Sequence, residues 1–393
     1  LTIKGGCYVK AVILAAGEGT RMRPFTRGKP KVMLPVGNQP FLEYQIKALA
    51  KNGVRDLIIV IGYCKERIMS HFGDGKDWRV KIQYVHQEKQ LGTAHALRFA
   101  KEYLMDEENF LLLAGDNIIE EEDLLGLVDS PEPEALLITE SQLSTKYGVV
   151  QLKGNRVTSI EEKRVIGYEG QIFTGIGLFT PGIFNSLHED TFYLTHLLKE
   201  HLKKSSLLAL PAKKWMDAVY PQDLLRINTR VLEDLPAGYG GIVEPGVTFK
   251  GHVQVAEGCN LRAHSYFKGP VIIGEGTTIG QSTSVLGSTC IGENTSIGPF
   301  SEIRNCIIMD DVTIGMGSKL ENVVIGSGTH LGARFTARRK GHLENGREGI
   351  AIGEDCEIQE NVMVDSGVTI GNTVKIEPGK HIIRSLADDT IAI

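Results

Sequence analysis

An apolar residue returns at every sixth position through Phe249, Val255, Leu261, Phe267, Ile273, Ile279, Val285, Ile291, Ile297 and Ile303. The spacing resumes through Ile352, Ile358, Val364, Ile370, Ile376 and Ile382. Strands of a sandwich alternate with a period of two and cannot hold a six-residue phase over this length. A parallel β-helix can. Each of its three flat faces takes one inward aliphatic residue, so three six-residue units close a coil and each coil covers the open edge of its neighbour. Between the two runs, residues 332–351 carry Arg334, Arg338, Arg339, Lys340, His342 and Arg347. This stretch is expected to project as a basic insertion, either a solvated loop or an anion site.

The first part of the chain alternates strand and helix patterns. Val9 to Ala15 reads as a buried strand, Phe41 to Asn52 as an amphipathic helix, and Val54 to Ile61 as a second buried strand. Lys81 to His86 and Phe110 to Ala114 are further short strands, and Gln222 to Leu235 a closing helix. The expectation is an α/β, Rossmann-like domain with a mostly parallel sheet and helices on both faces, followed by an all-β solenoid. The Pro- and Gly-rich run Pro236 to Gly241 marks the boundary, giving a first domain at 9–235, a linker at 236–246 and a solenoid at 247–384.

With 393 residues, 42% of them hydrophobic, the chain is long enough for two cores. A net charge of −5 gives no general electrostatic case for nucleic acid or an anionic membrane as partner. The six cysteines (Cys7, Cys64, Cys259, Cys290, Cys306, Cys356) form no Cys-x-x-Cys pair, so reduced thiols and a cytoplasmic location are expected. The run Tyr8 to Ala16 is too short to cross a bilayer, lacks a cleavage site and is expected to be a strand rather than an export signal, with residues 1–8 a short extension.

The first strand runs into Leu14-Ala15-Ala16-Gly17-Glu18-Gly19-Thr20-Arg21-Met22, and Pro30-Lys31 follows. A glycine loop after a strand lets backbone N–H groups approach phosphate oxygens, because Gly17 and Gly19 carry no obstructing side chain. The spacing is neither a dinucleotide fingerprint nor a Walker loop. Arg21 and Lys31 supply two cations beside a leaving pyrophosphate. The plainer alternative is a glycine turn with solvated basic neighbours.

The string resembles the sugar-1-phosphate nucleotidylyltransferases. The resemblance implies that Leu14, Ala15, Ala16, Gly17, Gly19, Thr20 and Arg21 bind the nucleotide, with Arg21 and Lys31 catalytic. It extends through Gln87-Glu88-Lys89-Gln90-Leu91-Gly92-Thr93-Ala94-His95-Ala96, which is similar to the base-reading segment of pyrimidine-using members. The Gln87 amide can donate and accept toward a uracil or thymine edge, while Gly92 and Thr93 border the nucleotide. Asp116 and Asp217 match the positions that hold Mg²⁺ in the family, and two hard carboxylates suit that ion. Gly148, Glu162, Lys163 and Gly175 match the sugar-phosphate positions. Phe173 stands where members handling an N-acetyl sugar carry Asn. Asp223 reads as a helix-start residue. The implied reaction transfers a nucleoside monophosphate from UTP or dTTP to a hexose-1-phosphate, with release of pyrophosphate.

The whole chain is similar to an archaeal two-domain branch in which this enzyme is fused to a left-handed parallel β-helix that in some members also acetylates an amino-sugar phosphate. Here Met316 falls where those members have the basic His, and Thr313 where they have Lys. A thioether cannot take the amine proton. Neither His330 nor His342 matches the motif. The solenoid is therefore expected to assemble a homo-oligomer, a trimer or related form, with no nucleic acid or membrane partner. The alternatives are a bifunctional acetylating enzyme, a GTP-using mannose-1-phosphate guanylyltransferase and a non-catalytic regulatory subunit.

Overall fold

The first strand shows why the amino-terminal part folds as a two-sided layer. Ala11, Ile13 and Ala15 pack on one face with Leu42, Ile46 and Leu49, while Val12 and Leu14 pack on the other with Ala94 and Leu97. Alternate side chains of a strand point to opposite faces, so a strand apolar at every position must be covered on both. The computed structural model describes residues 9–141, 147–162, 170–233, 236–338 and 348–392. It divides into two compact units, one of Leu1–Glu18, Lys29–Met33 and Phe41–Asp217, the other of Gly19–Gly28, Leu34–Pro40 and Ala218–Ile393.

In the first unit the elements run β1 (Lys10–Ala15), α1 (Phe41–Lys51), β2 (Asp56–Ile61), α2 (Lys65–Phe72), β3 (Lys81–His86), α3 (Thr93–Arg98), β4 (Phe110–Ala114), β5 (Asn117–Ile118) and α4 (Glu121–Val128). There follow β6 (Ala135–Ser141), β7 (Gly148–Lys153), β8 (Arg156–Glu162), β9 (Gly170–Phe179), α5 (Leu194–His201), β10 (Leu208–Pro211) and β11 (Met216–Asp217). The main sheet has the order β3-β2-β1-β4-β9-β6-β10-β8-β7. Helices α1, α2 and α4 cover one face, and α3 and α5 the other.

Strands β3, β2, β1 and β4 are parallel. Beyond β4 the pairing is antiparallel except between β6 and β10. The expectation of a mostly parallel sheet thus describes only the first half. The outermost added strands, β8 and β7, are half-exposed, as in β7, where Gly148–Val150 are buried and Gln151–Lys153 exposed, so they lack the continuous apolar run of a central strand.

Among its described residues, the second unit contains a solenoid of short parallel strands stacked in three columns of eight, nine and eight strands. Its axis is filled by the hexad residues, all of them buried from Val255 to Ile376. The stack does not break between the two runs seen in the sequence. Ile308, Ile314, Leu320, Ile325 and Leu331 continue the core. The register pairs Cys290 with Ile307 and Ile307 with Val324, 17 residues apart, whereas Ile272 and Cys290 are 18 apart. One residue is missing at the corners held by Asn305 and Asn322. Both adopt left-handed backbone (φ 48° and 58°), and Asn305 Nδ2 donates to Asn322 Oδ1 at 2.6 Å.

Two sequence-based boundaries change accordingly. Gly238–Tyr239 and Ile242–Val243, assigned to a linker, pair in parallel with Gln254–Val255 and Asn260–Leu261 and form part of the first coil. The insertion is narrower than 332–351. Thr336–Arg338 and Ile350–Ile352 are coil strands, and Arg334 sits at a coil corner (φ 59°) with Nε donating to Asn361 Oδ1 at 2.6 Å. Arg339, Lys340, His342 and Arg347 lie outside the described residues.

A helix, α6 (Asp223–Val231), belongs to this unit and packs along one column. It explains why Cys290, Ile307, Val324 and Ala351 are buried although they alternate with the inward residues. Asn228 Nδ2 donates to the Ser288 carbonyl at 2.9 Å and Asn228 Oδ1 accepts from Gly37 N at 2.8 Å. Asp223 starts this helix, with Oδ2 accepting from Val219 N and Tyr220 N. The segment Gly19–Gly28 is tied to the solenoid by Asn372 Nδ2 donating to the Pro24 carbonyl at 3.1 Å and by the Arg27–Asp388 ion pair. Among the described residues no helix is long and apolar enough to cross a membrane, and Cys64, Cys259, Cys290, Cys306 and Cys356 are free thiols.

Candidate active site

In the first unit, Asp116 and Asp217 converge on one cation. Asp116 follows the C-terminal end of the parallel strand β4, where open α/β sheets leave space for ligands. Asp217 arrives on β11, which pairs antiparallel with β5 and sets Asp217 opposite Asn117. Lys31 follows Pro30 in a single helical turn, Lys31–Met33. Its Nζ donates to Asp217 Oδ1 at 2.8 Å and to Asp116 Oδ2. Tyr147 donates its hydroxyl to Asp217 Oδ2 at 3.1 Å and packs edge-on against Trp215.

The electrostatics of this cluster are unbalanced. Burial alone would depress Lys31, but the Asp116 and Asp217 charges outweigh it and hold the ammonium above its ordinary value. Asp217 is pushed up to about 6, first by burial and then by Asp116, against the pull of Lys31. Both carboxylates therefore bond the Lys31 ammonium in a site largely withdrawn from water. Burying such a pair is costly without further cationic partners.

The loop bearing Asp116 is held by Gln45 and Asn117, which the sequence does not single out, and borders the predicted Gly175. Gln45 of α1 is fully buried, and its Nε2 donates to the carbonyls of Ala114 (2.6 Å) and Asn117 (3.0 Å). Asn117 Nδ2 donates to the Thr174 carbonyl at 2.8 Å. Gly175 has φ +84°, and a Cβ there would lie 3.0 Å from the Ala114 Cβ. A polar residue on the apolar stripe of α1 was the one available signal for Gln45.

The remaining predicted residues fall on several different elements. Leu14, Ala15 and Ala16 end β1, with the Leu14 carbonyl accepting from Gly115 N and the Ala16 carbonyl from Tyr63 N. Gly17 is exposed, with nothing within 4 Å of an added Cβ. Gly19 (φ +76°), Thr20 and exposed Arg21 belong to the second unit, where Gly19 precedes the helical turn Thr20–Met22.

Gln87 and Gly92 flank the start of α3. Gly92 has φ +137°, and a Cβ there would clash with the Phe192 carbonyl oxygen. Thr93 Oγ1 accepts from Leu194 N at 3.0 Å. Gly148 opens β7 beside Thr195, whose hydroxyl donates to Glu162 Oε1 at 2.9 Å. Lys163 lies outside the described residues. Phe173 is buried in β9.

A family model described as nucleotidyl transferase matches residues 10–234, more than half of the chain. The chain belongs to the nucleotidyl transferase family. A second model, described as a GMPPB C-terminal domain, matches residues 267–340 of this nucleotidyl transferase. It is 33% identical over 334 residues to the bifunctional protein GlmU of Methanococcus maripaludis, covering 82% of this chain and 78% of that one. It is 32% identical over 268 residues to the glucose-1-phosphate thymidylyltransferase of Streptomyces antibioticus, covering 64% of this chain and 74% of that one. A Bacillus anthracis crystal structure in complex with sucrose shares its fold at a TM-score of 0.53 and 24% identity, over 58% of this chain and 97% of the other.

Proposed function

We propose that this nucleotidyl transferase joins a pyrimidine nucleoside triphosphate, UTP or dTTP, to a hexose-1-phosphate. The observation that carries the reading is the convergence of Asp116 and Asp217 on Lys31. An oxygen of the sugar phosphate attacks the α-phosphorus of the triphosphate, a new P–O bond forms, and the bond to pyrophosphate breaks. No covalent enzyme intermediate is needed, so positioning and charge neutralisation supply the catalysis. Arg21 and Lys31 offset negative charge on the triphosphate and the departing pyrophosphate. Gly17 and Gly19 let backbone N–H groups reach phosphate oxygens. Gln87 reads the base beside Gly92 and Thr93, and Gly148, Glu162, Lys163 and Gly175 hold the sugar phosphate.

The acidic pair also fits a magnesium ion. Two carboxylates whose oxygens meet at the Lys31 ammonium, with Asp217 raised by burial and by Asp116, form a hard oxygen donor set of the kind Mg²⁺ prefers. Asp116 and Asp217 would hold Mg²⁺, which supplies charge neutralisation among the phosphates. Acetyl transfer is not part of the proposal, because Met316, 49% exposed at a coil corner, cannot accept a proton. The solenoid serves assembly of a cytoplasmic homo-oligomer, which a solution mass measurement checks.

The test is a panel of five triphosphates against glucose-, galactose-, mannose- and N-acetylglucosamine-1-phosphate with Mg²⁺, scored by pyrophosphate release. Turnover with UTP or dTTP supports the reading. Turnover with GTP and mannose-1-phosphate alone, or none with any pair, overturns it.

A further inference from the structure

Gln87 follows β3 and is almost fully buried, 3% exposed. Its Nε2 lies 3.2 Å from the Gly92 carbonyl oxygen and 2.8 Å from His95 Nδ1. A carbonyl oxygen can only accept, so the Gly92 contact identifies which end of the amide is the NH₂ group. Both amide hydrogens are then committed, and His95 Nδ1 must be the unprotonated nitrogen of a neutral ring. The ring is held in place by Phe99, edge-on at 5.1 Å, and by Phe192 at 6.4 Å. Its main-chain N–H is fixed on the Phe192 carbonyl at 3.2 Å. Burial, with the charge of Arg98, keeps His95 below its ordinary value, which favours the neutral ring. Only Oε1 of Gln87 is left for a ligand, with no hydrogen bond to it among the described residues.

We propose that His95 is a specificity-determining positioning residue: by occupying the second amide hydrogen of Gln87, it makes Gln87 read the base as an acceptor only. The proposal rests on the reading that Gln87 faces the base. An acceptor-only group set opposite the centre of the Watson–Crick edge pairs with a base that carries N–H there, not with one whose donor is only the exocyclic amine. Uracil and thymine do, at N3. Cytosine N3 and adenine N1 carry lone pairs there, which would face the Oε1 lone pairs. Guanine N1–H passes this filter. With His95 removed, only the 3.2 Å contact to the Gly92 carbonyl still holds the amide end, so the group can turn over and present its NH₂ to those lone pairs, and rejection of CTP and ATP weakens.

Steady-state kcat and KM are measured with UTP, dTTP, CTP, ATP and GTP for the unaltered enzyme, His95→Leu and His95→Asn, alongside thermal melts. The His95→Asn change keeps an acceptor in place, because the Asn side chain sets Oδ1 two bonds beyond Cβ, where Nδ1 stands in His. The unaltered enzyme is expected to favour UTP or dTTP over CTP by at least about tenfold, the effect of one well-formed hydrogen bond. His95→Leu is expected to lose most of that preference through KM rather than kcat, and His95→Asn to retain it. Full discrimination in His95→Leu overturns the proposal, as does an Asn variant no better than a folded Leu variant. Failure of the unaltered enzyme to turn over any triphosphate overturns the broader functional reading instead.

Discussion

Lys31 and Asp217, 186 residues apart in the chain, meet at 2.8 Å, with Asp116 on the same ammonium nitrogen. The pairing closes the first unit around the end of its parallel strands, because it ties the turn after the glycine loop to the last strand of the nucleotidyl transferase fold. Lys31 and Asp217 both face a cost of burial, which the two acids outweigh for Lys31 and which Lys31 offsets only in part for Asp217.

Replacing Lys31 with Ala leaves Asp116 and Asp217 facing each other with no shared cation. Pyrophosphate release is expected to fall by about 10²–10³-fold, the usual effect of removing one preorganised charge-stabilising donor. Far-ultraviolet circular dichroism should be unchanged. Activity retained in a folded variant would contradict the assignment.

Asp217 gives a pH limb with opposite signs for activity and stability. Its folded value, about 6, lies above its ordinary 3.8, so the fold prefers the neutral acid. The cost of ionising it is absent below about pH 3.8, grows between the two values and is complete above about 6. If the proposed role of Asp217 holds, activity should rise through this range as the carboxylate forms. Asp217→Asn should abolish activity and raise the melting temperature at pH 7, with the gain disappearing toward pH 4.

Gly92→Ala would drive a Cβ into the Phe192 carbonyl oxygen at a left-handed φ of +137°. Both the contact and the backbone oppose it. Destabilisation of about 2–4 kcal/mol is expected, with a raised KM for the triphosphate as the Gln87 acceptor shifts. Calorimetry and initial rates measure the two effects separately.

Gly148→Ala would meet the Thr195 Cγ2 at 2.7 Å, a side-chain methyl that can rotate away. Stability should change little, but the Thr195 bond to Glu162 is lost. KM for the sugar phosphate should rise severalfold while that for the triphosphate holds.

Ile314→Ala tests whether the solenoid is continuous between the two hexad runs. The residue is almost fully buried in the coil core. A loss of about 2–5 kcal/mol is expected, as for other buried aliphatic truncations. A change below about 0.5 kcal/mol, typical of a surface site, would contradict the packing.

The hexads up to Ile303 were legible because they form a local pattern, whereas Asp116 and Asp217 were picked out through the family resemblance, and it took the fold to set both on Lys31. Gln45, Asn117 and His95 were not legible, because their partners lie far away in sequence or depend on how a loop folds back. The stretch from Ile308 to Leu331 was hidden by the short corners at Asn305 and Asn322, each of which shifts the apolar phase by one position without altering the stack.

By itself the sequence determined what each segment must bury: strands covered on both faces in the first unit, and one inward side chain per face in the solenoid. Side-chain chemistry and periodicity are written in the residues. Tertiary structure alone decided which polar groups meet, since the Lys31 ammonium, the Asp217 carboxylate and the Gln87 amide take their charge or orientation from neighbours that only folding brings within hydrogen-bonding distance. It also decided where the solenoid begins, because Gly238 and Ile242 become coil strands by pairing with the next coil rather than by any apolar pattern of their own.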